Sequence, residues 1–115
     1  MRVFLGKIWE VGLVPEVDAV LRAAEKELGA VADASEVAGG LGVEESVTAG
    51  QCLWFIEDEA EVQEDLADIA LAEGGAACEE AGKRRRYAER LRHYAALLRE
   101  AGVVPEPLPG RRKEG

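Results

Sequence analysis

Glu57, Glu61, Glu64, Asp65 and Asp68 follow one another at intervals of four, three, one and three residues. Wound as a helix at about 100° per residue, that spacing gathers the five carboxylates on one side and sets Phe55, Val62, Leu66, Ile69 and Ala70 opposite. Carboxylates are hard oxygen donors. Glu57, Glu61, Glu64 and Asp68 are therefore candidate ligands for a divalent cation such as Mg2+, provided that a second element supplies further oxygens. Like charges at i, i+4 repel by roughly 0.2–0.5 kcal/mol per pair in an isolated helix. A cation, a basic partner, the chain's own arginines, or solvent and salt would offset that cost.

The cationic candidates lie farther along. From Glu27 to Gly82 the chain has fifteen acidic residues and neither lysine nor arginine, whereas Lys83 to Arg99 holds seven basic residues against Glu89 alone. An antiparallel hairpin of the two segments would bring Lys83, Arg84, Arg85, Arg86 and Arg90 to the C-terminal half of the acidic helix. Surface ion pairs are worth about 0–1 kcal/mol each, so such pairs fix orientation more than stability. Arg84, Arg85 and Arg86 could also grip an acidic protein, although adjacent residues point around the whole helix and make no continuous phosphate-binding stripe. In the same segment Tyr87, Leu91, Tyr94, Leu98 and Ala101 are spaced four, three, four and three, the seam of a helix packed lengthwise on a partner. Tyr87, Leu91, Tyr94 and Leu98, with Arg84, Arg85 and Arg86, are the candidate partner-binding residues.

Other reactive side chains offer less. His93 is the only histidine, which excludes multi-histidine metal sites, and it reads as a surface or seam-edge residue. Cys52 and Cys78 form no C-x-x-C and are expected to be reduced, small buried side chains. Gly39-Gly40-Leu41-Gly42 lacks the lysine and Ser/Thr of a phosphate loop and reads as a linker. Trp9 and Trp54 are candidates for the core or for an interface.

Few elements are needed to position these groups. Pro15, with Glu16 and Asp18 behind it, opens a helix over about 15–29, along which Val17, Val20, Leu21, Ala24, Leu28 and Val31 recur at threes and fours. Gly29 is its expected stop, and Asp33 with Glu36 has the spacing of a capping box for a further short turn. A second long helix is expected over about 44–73, closed by Gly74 and Gly75, and a last one over about 76–101, stopped by Gly102 and Pro105. Residues 2–11 fit either a helix or a strand, and the run Cys52-Leu53-Trp54-Phe55-Ile56 leaves room for a buried strand over 51–57. The fold class is all-α, a small bundle of three to four helices, with α+β containing short strands near 2–11 and 51–57 as the alternative. A chain of 115 residues suits one helical domain over 1–104; the proline- and glycine-containing segment 105–115 is expected to be a disordered tail.

The net charge of −9 disfavours nucleic acid and anionic membranes as partners, and no apolar run approaches the roughly 20 residues of a membrane span. The start has neither the apolar run nor the cleavage pattern of a signal peptide, so the cytoplasm is the expected compartment. The segment Glu61-Val62-Gln63-Glu64-Asp65-Leu66-Ala67-Asp68 resembles the acidic helices of MazG-type all-α nucleoside triphosphate pyrophosphohydrolases. There E-x-x-E and E-x-x-D motifs hold magnesium against the triphosphate, on separate helices; here Glu61-x-x-Glu64 and Asp65-x-x-Asp68 are contiguous. That resemblance implies a Mg2+-dependent pyrophosphohydrolase. A continuous carboxylate stripe would equally suit an acidic mimic of nucleic acid. The residues as a whole point first to a non-catalytic interaction or assembly subunit without a cofactor, binding itself or a basic protein through its acidic helix face and apolar seam.

Overall fold

The computed structural model describes residues 15–39 and 48–108. They form four α-helices: α1 (Pro15–Leu28), α2 (Ala30–Gly39), α3 (Ala49–Glu73) and α4 (Ala77–Glu100). The molecule is a small all-α bundle. The strand alternative for 51–57 is corrected, because those residues lie within α3; residues 2–11, Trp9 and the expected helix start at 44–47 fall outside the described residues.

Local chemistry sets the helix ends. Gly29 closes α1 with a positive φ of 66°, its N–H bonding the Glu25 carbonyl at 2.9 Å, a conformation that a Cβ would strain. The chain re-enters a helix at once: the Asp33 N–H donates to the Gly29 carbonyl at 3.0 Å. Asp33 thus lies within the first turn of α2, and the expected capping box at Asp33 and Glu36 is not how this helix starts. The box is at α3 instead. Thr48 is extended, its hydroxyl accepts from the Gln51 N–H at 3.0 Å, and the Gln51 side chain accepts from the Thr48 N–H at 3.0 Å. Two orphan donors are satisfied reciprocally, which starts α3 at Ala49. Gly74 and Gly75, with φ of 73° and 61°, make the tight turn into α4.

The spine is the antiparallel hairpin of α3 and α4, with α2 packed on α3 and α1 on α4. Its two halves differ. Near the start of α3 and the end of α4, Leu21, Val31, Leu53, Ile56, Leu91 and Leu98 are all fully buried in one core that also takes in α1 and α2. Toward the glycine turn the buried contact shrinks to Ala67, Ala70 and Ala81, with Ala77 beside them. We call these the proximal and distal halves.

After α4 the chain turns back over the start of α3. The Glu106 N–H donates to the Gly50 carbonyl at 2.9 Å, the Thr48 hydroxyl donates to the Glu106 carboxylate at 3.0 Å, and Leu108 is fully buried. A Cβ on Gly50 would lie 2.5 Å from the Val104 carbonyl oxygen, so only glycine permits this crossing. Residues 105–108, expected in a disordered tail, therefore belong to the packed domain: Leu108 supplies the apolar burial that composition alone did not assign to them. Residues 109–115 lie outside the described residues.

Candidate functional site

One side of the hairpin is a ladder of ion pairs. Arg99 reaches Glu57 with Nη2 at 2.9 Å, Arg92 grips Glu64 through two bonds of 2.7 and 2.9 Å, and Arg85 meets Asp68 at 2.8 Å. Antiparallel packing makes this register possible: Arg99, Arg92 and Arg85, seven apart on α4, meet Glu57, Glu64 and Asp68, seven and four apart on α3. Three of the four candidate metal ligands, Glu57, Glu64 and Asp68, thus bind guanidinium groups. Glu61 is exposed on the same helix. Among the described residues no group of three or more His, Cys, Asp or Glu is placed to hold a metal ion. The shallow cleft on this side is lined by Glu64, Asp68, Arg85 and Glu89. Arg92 holds the Glu64 carboxyl below its ordinary pKa, in keeping with a charge-assisted pair.

Of the three candidate partner-binding arginines, Arg85 is taken by Asp68, while Arg84 donates to the Gln63 side chain at 2.8 Å and pairs with Glu80 at 3.1 Å. Arg86 is exposed. Arg90, expected toward the acidic helix, turns to α1 and donates to both Glu27 oxygens at 2.7 and 3.0 Å. The Tyr94 hydroxyl also donates to Glu27, and the Arg90 guanidinium lies 5.4 Å from the Tyr94 ring centroid. The Arg90 bonds foremost, then Tyr94, lower the Glu27 pKa from 4.5 to about 2.

The apolar seam of α4 is real but internal. Leu91 and Leu98 are fully buried, Tyr94 is 7% exposed, and Tyr87 is half-buried against the same core. These residues pack on the chain's own helices. Periodicity shows that a face is covered and is silent on whose helix covers it. Burial foremost, then the Asp33 and Glu59 carboxylates, raises the Tyr87 pKa. Cys52 is buried as expected, but Cys78 is exposed in the first turn of α4, where the glycine turn leaves nothing packed over it. His93 is exposed, edge-on to Tyr94 with centroids 5.0 Å apart. Trp54 packs, half-buried, on the main core.

The surface that sequence reasoning missed is on α3. Val62, Leu66 and Ile69, which the spacing sets opposite the carboxylates beside Phe55 and Ala70, are 36%, 36% and 56% exposed. Phe55 and Ala70 are buried. The hairpin closes on alanines instead, since Ala60, Ala67, Ala70 and Ala81 let the two backbones approach, and this turns the larger side chains outward. A length argument could have exposed the discrepancy. A 25-residue helix is about 37 Å long, whereas the 14 residues of α1 reach about 21 Å and the 10 of α2 about 15 Å. Neither short helix alone spans the hairpin, and among the described residues the part left exposed is distal.

Compared with protein-family models, with curated proteins and with solved structures, the chain matches none. The MazG-type resemblance rests on its short segment of α3 alone. No helix among the described residues is long and apolar enough to cross a membrane.

Proposed function

We propose that the protein is a non-catalytic interaction or assembly subunit whose docking surface is the distal half of the α3–α4 hairpin. The observation that carries this reading is the exposed row Val62, Leu66 and Ile69 on a two-helix segment closed only by alanines. Isolated exposed apolar residues are ordinary, but a row at helical spacing on the one thin part of a fold is the form that helix-in-groove recognition takes. The ion-pair ladder gives the opposite side a different role. Its carboxylates are matched by the chain's own arginines, so that side orients the hairpin, and the apolar row is left for another protein.

The test is a photo-crosslinking amino acid placed at position 69, with position 96 on the exposed side of α4 as control, in cells making the full chain. A covalent protein adduct at 69 and none at 96 is the expected result. Absence of an adduct at 69 contradicts the reading.

A further inference from the structure

The occupant of the distal face can be named from the way the same hairpin receives α1. There α1 lays Val17, Leu21 and Ala24 inward and offers Glu27 to Arg90 and Tyr94 of α4. Four and seven residues before Arg90, one and two turns toward the distal end, stand Arg86 and Lys83. Both are exposed, and neither forms an ion pair among the described residues. The distal half thus repeats the two elements that hold α1, apolar surface and a cationic edge, without a helix to fill them among the described residues. What fits is a helix with an apolar row flanked by carboxylates.

Two segments of this sequence are apolar enough to compete. The stretch before Pro15 carries Arg2 and Lys7 against Glu10, and would bring excess positive charge to a cationic edge. The α3 helix of a second copy carries Asp65 beside Leu66, and Glu73 four residues after Ile69, both exposed and both outside the ion pairs among the described residues of their own chain. Its row is centred on Leu66, with Val62 four residues before and Ile69 three after. A two-fold axis near Leu66 would therefore set Val62 of each copy beside Ile69 of the other.

We infer that the chain forms a homodimer in which each distal α3 lies across the α3–α4 groove of the other copy, with Asp65 directed to Lys83 and Arg86. The inference rests on the docking surface proposed above and supplies its occupant. The contact is isologous and closes at two copies. The proximal halves point away from one another, so α1 and α2 of the two copies do not collide.

Sedimentation velocity of the full chain across a concentration series tests it. The expected species is twice the 12.4 kDa chain mass. Ile69→Glu should weaken the dimer by at least about a hundredfold, since it buries a charge from each copy. The pair Lys83→Glu and Arg86→Glu should weaken it by about tenfold, and Asp65→Lys added to that pair should restore it. Circular dichroism melting confirms that each variant folds. A monomer at every concentration, or a dimer indifferent to Ile69→Glu, overturns the inference. A monomer whose position-69 crosslinker captures a different protein overturns the homodimer and leaves the docking surface standing.

Discussion

The proximal half of the hairpin is sealed by large side chains from four helices and a returning C-terminal segment, whereas the distal half is two helices touching through alanines. Both halves belong to the same helices, so the difference cannot come from helix propensity. It comes from what lies across them. Leu21, Val31 and Leu108 complete the proximal core from outside the hairpin, and no described residue does so at Val62, Leu66 and Ile69. A helix shows by its spacing which face is apolar. Whether that face is core or interface depends on the reach of the neighbouring elements.

Substitutions should divide along this line. The largest loss is expected for Leu53→Ala, which empties a fully buried proximal site and should cost about 2–5 kcal/mol in chemical denaturation. Gly50→Ala comes next. It drives a Cβ into the Val104 carbonyl and should cost about 1–3 kcal/mol by displacing the returning segment. Arg92→Ala breaks a bidentate but half-exposed pair and should cost about 0–1 kcal/mol, less in high salt.

The Glu27 pair gives a pH signature belonging to the proximal half alone. Its folded carboxyl titrates at about 2 rather than 4.5, so its contribution is fully present above the ordinary carboxylate range and is lost as pH falls from about 5 through about 2. Glu27→Gln should lower stability at neutral pH and flatten the acid limb of the profile, so that the two proteins converge as pH falls from about 5 through about 2. Smallest of all, Ile69→Ser in the dilute monomer should change stability by less than about 0.5 kcal/mol, because the side chain it removes already meets water. A loss at Ile69 as large as that at Leu53 would erase the distinction between the halves.

Much of the fold was legible in the sequence. Pro15, Gly29, Gly74, Gly75 and Gly102 punctuate the helices where the structure does, and the reversal of charge between α3 and α4 foreshadowed their antiparallel pairing. The ladder was legible in kind and only partly in detail, since Arg90 answers to Glu27 on α1, a contact between positions 63 residues apart that no local spacing encodes. The helix rotation, about 100° between neighbouring residues, that decides whether alanine or leucine faces a neighbour was not legible either. Hydrophobicity favours burying Val62, Leu66 and Ile69; close approach of two long helices favours burying Ala60, Ala67 and Ala70, and close approach prevailed. The run at 51–57 read as a possible strand because it is buried nearly all round in the proximal core. Thr48 and Gln51, which mark the helix start, carried the deciding signal.

Hydrogen exchange by mass spectrometry, performed on the intact chain at low and high protein concentration, tests the incompleteness of the distal half most directly. Amides of residues 60–72 are expected to exchange much faster than those of 50–57 and 91–98 in dilute solution, and to slow as concentration rises while the proximal amides stay unchanged. Equal protection of both halves at every concentration would contradict it, for the distal hairpin would then be as complete alone as the core beneath α1.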